Sequence, residues 1–492
     1  MASSKGCYLE LVNRAFEEIK VEFIPKNSSD WLGSKSPDLG TKTLKDDENN
    51  YYFSEILEMN GAISAQGMFS IKISIGENSV TVDDFNLEDG RRNEEKIRYI
   101  DLSETGGKLD CYIVITYGLN VQLIAEKEKE SGFANNKGCY RFEFFRMSKR
   151  RFGIMNDYHY GCKGNNDNDQ KTVFQTINKF IKRPEFIVMP GDLLDNPIYQ
   201  KGKDRDIWKH FIDPLEKRYI PIADGFGNHD LWSSVGSTDV KNRCLKRNSK
   251  RKQKLCGYSD EWNKNKNGKY ENDNKGYHYR WQMELKKNGK KVLIVFFMLN
   301  NVPAEKNRKD KVNTEKTQQK GTYSYDSLRY LKDAMQDAYN KNNKNYDGVY
   351  GLLFFHTNYE CQNNSDTRIT KNEVTVYEPE RWWTYKDKQV LAGVLDNPVF
   401  PVLMSFFGHS HISNIKKQYL YTSQKNRTEH FGYLCASSKE MRRLNLIDIS
   451  LTEENGEYYI EIEGKYANVK ELSMEDHSLN KVDGIKFPLK KA

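Results

Sequence analysis

Gly191-Asp192-Leu193-Leu194-Asp195-Asn196 follows the apolar run Phe186-Ile187-Val188-Met189, and its reading decides the fold. The run has the length and composition of a buried strand. The glycine after it permits a sharp turn. Asp192 then stands at a strand's C-terminal end, where open α/β sheets hold their chemistry. A lone Gly-Asp-x-x-Asp says little. It gains meaning from four other short polar blocks that also end apolar runs.

In chain order these are Asn156-Asp157-Tyr158-His159, Gly227-Asn228-His229-Asp230, His356 after Leu352-Leu353-Phe354-Phe355, and Gly408-His409-Ser410-His411 after Met404-Ser405-Phe406-Phe407. Five of the nine histidines fall in the blocks. The set contains carboxylates, imidazoles and an amide but no sulfur, which suits borderline or hard divalent ions. Asp157, His159, Asp192, Asn228, His356, His409 and His411 are too many ligands for one ion. They suit two ions that share a carboxylate. Strand alternation would put Asp157 and His159 on one face, and likewise His409 and His411. Glycines before Asp192, Asn228 and His409 allow close backbone approach.

The ordered set resembles the signature of the calcineurin-like metallophosphoesterase superfamily over roughly residues 150–450. That resemblance implies a four-layer α/β/β/α sandwich. It also implies that Asp157, His159 and His411 hold one metal, that Asn228, His356 and His409 hold the other, and that Asp192 bridges them. A metal-bridging hydroxide would be the nucleophile, His229 the general acid and Asp230 the group that orients its ring. The metals implied are Mn, Zn or Fe, with Mg or Co also compatible. Asp195 stands where purple acid phosphatases carry a metal-binding tyrosine, which argues against a purple site. Thr357-Asn358 after His356 departs from many relatives.

Around this core the texture of the chain changes once. Residues 1–147 read as a β-rich accessory domain, β-sandwich-like, from alternating stretches such as Tyr8-Leu9-Glu10-Leu11-Val12 and Cys111-Tyr112-Ile113-Val114-Ile115-Thr116-Tyr117. It carries no catalytic constellation, and a structural or a lipid- or glycan-binding role suits it. Residues 148–492 alternate strands and helices, the α/β pattern. Helices are expected at 170–183, around Ile207 to Leu215, and around Leu328 to Ala338. Residues 241–275 and 302–322, rich in Lys, Arg and Asn, read as polar insertions. Lys241 to Lys254 reads as a solvated loop, with a rim for an anionic surface, phospholipid or nucleic acid as the sharper alternative. Tyr277, Tyr279 and Trp281 read as strand positions, with a substrate wall as the sharper alternative. Trp382 and Trp383 lie between two blocks. Asp224 has no evident role.

At 492 residues, 37% hydrophobic and 30% charged, the chain can bury large cores, and its net charge of +8 is a mild pointer to anionic partners. Eight scattered cysteines form no Cys-x-x-Cys pair and are expected to be reduced. No secretory leader and no apolar run long enough to span a membrane is visible, so a soluble, cytoplasmic protein is expected. The resulting expectation is a dinuclear metal-dependent phosphoesterase acting on a small or lipid phosphate ester. The alternatives are a nuclease or phosphodiesterase acting on nucleic acid, or a lipid- or glycan-binding protein that carries the enzyme.

Overall fold

The computed structural model describes residues 5–26, 31, 38–46, 50–59, 66–104, 109–118, 138–157, 159, 184–193, 212, 220–227, 230, 247, 250–260, 278–300, 325–356, 367–370, 373–376, 391–397, 400–408, 413–421, 427–435, 443–468 and 480–489. The chain divides into two compact units, one built from Met1–Arg150 and Asn178–Arg183, the other from Arg151–Ile177 and Pro184–Ala492.

In the first unit the strands are β1 (Lys5–Arg14), β2 (Ile19–Pro25), β3 (Thr41–Leu44), β4 (Tyr51–Phe53) and β5 (Leu57–Met59). They continue with β6 (Met68–Ile75), β7 (Asn78–Asn86), β8 (Lys96–Asp101), β9 (Cys111–Gly118) and β10 (Gly138–Arg146). A single helical turn, α1 (Leu87–Gly90), is capped by the Asn86 side chain. One sheet runs β4-β1-β10-β9-β8, with β5 also on β1, and the other runs β3-β2-β6-β7. Leu9, Leu11, Ile113, Ile115, Phe142 and Phe144 of the first sheet share a core with Val21, Phe23, Phe69, Ile71 and Ile73 of the second. Phe85 meets Phe142 edge-on at 5.2 Å.

The alternation of these strands predicts one wet face, but in β1, β9 and β10 that face is buried, whereas β8 at the edge is largely exposed. Thr116 and Glu10 are as buried as their apolar neighbours, and Tyr112, Val114, Phe145 and Met147 form a second apolar cluster. Charges on that face are neutralised in pairs. β1 lies parallel to β10 with Glu10 opposite Arg141, and Arg141 Nε donates to Glu10 Oε2 at 2.5 Å. Arg14 and Glu143 lie 3.7 Å apart beside them.

The second unit is an α/β fold. Its strands begin with β11 (Lys149–Ile154), which starts in the first unit, then β12 (Ile187–Met189), β13 (Ile222–Asp224), β14 (Tyr279–Lys287) and β15 (Lys290–Met298). After helix α2 (Tyr325–Asn342) come β16 (Gly348–Phe355), β17 (Thr367–Thr370), β18 (Glu373–Val376) and β19 (Val402–Phe407). The last are β20 (Ser413–Tyr421), β21 (Arg427–Cys435), β22 (Arg443–Glu454), β23 (Glu457–Asn468) and β24 (Asn480–Pro488). One six-stranded sheet runs β13-β12-β11-β22-β23-β24 and the other β14-β15-β16-β19-β21-β20. Strands β11, β12 and β13 are parallel; so are β15, β16, β19 and β21.

Both sheets bury one face in a common core that includes Phe152, Val188, Ile447, Trp281, Phe296, Phe354 and Phe406. Trp281 stacks on Phe296 at 5.3 Å. Tyr279 and Trp281 are therefore core residues, which removes the substrate-wall reading for both. The second sheet's other face is covered by α2. Leu328, Leu331, Ala334, Met335 and Ala338 recur at helical spacing and meet Leu293, Val295, Phe297 and Leu353. The helices expected at 170–183 and around 207–215 fall outside the described residues, Ile212 excepted.

Of the basic segment 241–254, Arg247 and Arg251 are buried rather than presented to solvent. Both converge on Asp224 at the end of β13. Arg251 Nε and a terminal nitrogen donate to Asp224 Oδ1 at 3.1 and 2.9 Å, and Arg247 Nε does so at 3.3 Å. The Arg251 guanidinium also lies 4.4 Å from the centre of the Tyr279 ring, whose hydroxyl donates to the Asp224 carbonyl. Asp224 thus anchors the insertion. Cys7, Cys111, Cys139 and Cys256 are free thiols. No helix among the described residues is long and apolar enough to cross a membrane.

Candidate metal centre

Parallel pairing of β11 with β12 brings the first two blocks together. The register Ile154↔Val188 continues past the strand ends as Met155 N–H to the Val188 carbonyl, Asp157 N–H to the Gly191 carbonyl, and His159 N–H to the Asp192 carbonyl. Asp157, His159 and Asp192 offer ligand atoms within 4.8 Å of one another, and all three are buried. The strand alternation expected over residues 157–159 is not how they converge. Asp157, His159 and Asp192 have φ of 54°, 48° and 52°, the left-handed region. Two successive left-handed turns, rather than a continued strand, aim the side chains inward.

The second sheet brings the third member. Phe355 is paired with Phe407 across β16 and β19, and Gly408 N–H donates to the His356 carbonyl at 3.0 Å. His356 is buried, with Nε2 3.1 Å from Asp192 Oδ2 and 3.9 Å from Asp157 Oδ1. Burial disfavours the charged ring, but the carboxylates of Asp192, Asp157 and Asp230 outweigh it and raise His356 to about 9. Two carboxylates around one imidazole make a place that attracts positive charge. An oxygen- and nitrogen-donor set this close fits a borderline or hard divalent cation.

Glycines make the approach possible. A Cβ on Gly191 would stand 2.5 Å from Gly227 N and 2.6 Å from the Phe226 carbonyl carbon, and one on Gly227 would overlap the Asp192 carboxylate. A Cβ on Gly408 would collide with the Asn156 amide and stand 2.7 Å from Asp157 Oδ2. Forcing a methyl into such a contact costs about 1–3 kcal/mol. Gly191→Ala is accordingly expected to lower the melting temperature and release bound Mn2+; a variant that melts and binds Mn2+ like the parent would refute the close approach.

Asp230, buried, accepts from Gly227 N–H at 2.8 Å and from Leu193 N–H at 3.4 Å through Oδ2. It ties the segment after Asp192 to Gly227, at the start of the third block. Asn228, His229, His409 and His411 lie outside the described residues, although Gly227 and Gly408 place the starts of their blocks beside Asp192 and Asp157. A cavity of about 800 Å³ lies at the other end of β15, around Lys290, Lys344, Tyr346 and Tyr458, and none of the block residues lines it.

Three buried groups near the site escaped the reading of motifs. Asn300 accepts from Phe226 N–H, His278 accepts from Asn300 N–H, and Asp224 holds its two arginines. Asn300 does share one signal with the blocks: it follows the apolar run Val292–Met298.

Residues 150–413, more than half of the chain, match the calcineurin-like phosphoesterase family. The chain belongs to that family, and it is a metal-binding hydrolase of the metallophosphoesterase type. No curated protein sequence matches it. Among solved structures it is similar to a dimetal phosphatase from Danio rerio, at 12% identity and a TM-score of 0.38, over 69% of this chain and 99% of that one.

Proposed function

We propose that the chain is a dinuclear metal-dependent hydrolase of phosphate esters. The observation that carries this reading is the convergence of Asp157, His159, Asp192 and His356, all buried, at the C-terminal ends of strands from both sheets. Asp157, His159 and His411 would hold one ion, Asn228, His356 and His409 the other, and Asp192 would reach both. Two divalent cations bound there would lower the pKa of a shared water and neutralise the oxygens of a phosphate.

The protein's own groups do the rest. His229, beside the proposed ligand Asn228 in sequence, would give a proton to the leaving alkoxide, the work of an imidazole near neutral pH. Asp230, which accepts from Gly227 N–H and Leu193 N–H, would orient the His229 ring. The ligand turns, fixed by backbone hydrogen bonds, keep the carboxylates in register before substrate arrives, so little reorganisation is left to the reaction. Residues 1–147 are read as an accessory domain and residues 148–492 as the catalytic one. Burial of Arg247 and Arg251 takes two positive charges of residues 241–254 away from any anionic surface, while Lys250 and Lys252 stay exposed; a small or lipid phosphate ester is the preferred substrate.

The test is metal content together with a pair of aryl substrates. Protein stripped with a chelator should lose hydrolysis of p-nitrophenyl phosphate and regain it with Mn, Zn or Fe. Faster cleavage of the monoester than of bis-p-nitrophenyl phosphate would mark a phosphatase, and the reverse a phosphodiesterase. Protein that binds no divalent ion and cleaves neither ester in any metal overturns the proposal.

A further inference from the structure

The Gly225-Phe226-Gly227 segment, which leads into the block of Asn228 and His229, is held by a residue outside every metallophosphoesterase block. Asn300 lies two residues beyond β15 and is buried. Its Oδ1 accepts from Phe226 N–H at 2.9 Å, in a fully buried hydrogen bond. The same oxygen would stand 2.7 Å from a Cβ on Gly225, so side chain and turn are fitted to each other. Asn300 is itself located by its backbone N–H, which donates to His278 Nδ1 at 3.2 Å. That bond requires His278 Nδ1 to be unprotonated, and burial lowers the ring to about 3, so it stays neutral. The His278 ring in turn stacks on Tyr330 of α2 at 5.4 Å. A chain of contacts therefore runs from the helix layer through β14 and β15 to the turn.

We propose that Asn300 is a positioning residue that fixes the Gly225-Phe226-Gly227 segment, from which the chain enters the block of Asn228 and His229. The inference rests on the two-ion reading given above. Its physical basis is the backbone amide of Phe226. Deprived of its acceptor, a buried N–H seeks another partner, and the turn moves to supply it. Asn228 follows two residues later, so a small shift there is felt directly by a ligand. Groups that orient metal ligands typically carry 10–100-fold in affinity or activity when lost.

The test compares full-length parent, Asn300→Leu and Asn300→Asp. Leucine keeps the volume without an acceptor; aspartate keeps an oxygen at the same place. Three readouts are taken: Mn2+ affinity by equilibrium dialysis, kcat and KM for p-nitrophenyl phosphate at saturating Mn2+, and melting temperature. Asn300→Leu is expected to bind Mn2+ about 10–100-fold more weakly and to lose kcat by a similar factor, with KM little changed. Asn300→Asp is expected to recover most of both. If the leucine variant fails to fold, Asn300→Ala, which adds no bulk, is read in the same assays. A variant with parental Mn2+ affinity overturns the proposal, whether or not its melting temperature falls, because a purely structural role would lower stability alone. Failure of the two-ion reading looks different: there the parent itself binds no Mn2+.

Discussion

Asp192→Asn is expected to reduce kcat for p-nitrophenyl phosphate by about 10³-fold or more, with a matching loss of bound metal. The charge stabilisation that a catalytic ion lends is worth several kcal/mol, and about 1.4 kcal/mol is tenfold in rate. Asp192 joins ligands from both sheets. Its carboxylate lies 3.1 Å from His356 and 3.9 Å from His159, and its backbone carbonyl receives the His159 N–H. The amide is nearly isosteric, so the turn survives, but the negative charge that two cations would share is gone. Metal content measured beside turnover makes the result decisive. Undiminished hydrolysis in the purified variant would remove the bridging role.

Asp224→Ala should be the most damaging substitution for stability away from the ligands. Two guanidinium groups, Arg247 and Arg251, are buried against this one carboxylate. Removing one partner of a buried ion pair typically costs 3–5 kcal/mol, because the charge left behind has neither water nor counter-ion. For a unit of this size that lowers the melting temperature by roughly 5–15 °C. Lys252→Ala supplies the contrast: its ammonium is half-exposed and 3.6 Å from Asp260, and exposed pairs are worth about 0–1 kcal/mol. Equal effects of the two substitutions in denaturant unfolding would show that burial does not govern the Asp224 cluster.

Much of the catalytic unit is legible because a buried parallel strand holds mostly apolar side chains, with a polar one tolerated only where it finds a partner, as Ser405 does in His430. Polar chemistry must emerge where the strand stops. Val188 and Met189 precede Asp192, Phe354 and Phe355 precede His356, and Phe406 and Phe407 precede Gly408 for this reason. What the blocks do not reveal is anything settled by distant pairing. Asp224 meets arginines 23 and 27 residues further on, inside a stretch whose lysines and asparagines make it look solvated. Asn300 has no motif, only a place at a strand end. The first unit misleads in another way. Alternation between Leu and Glu, or between Phe and Arg, suggests a wet face, and only the register that sets Glu10 opposite Arg141 explains how the charges can be buried. The left-handed turns are equally invisible, since aspartate and histidine carry no glycine-like signal.

Those turns have an evolutionary consequence. Asp157, His159 and Asp192 hold backbone conformations that glycine adopts freely, while an L-residue there gives up about 1–2 kcal/mol. Drift to glycine at any of the three would yield a sturdier molecule that has lost a ligand. Robustness of the fold and retention of the chemistry pull against each other at these positions. Lineages released from selection for hydrolysis should therefore lose these side chains early and keep the sandwich.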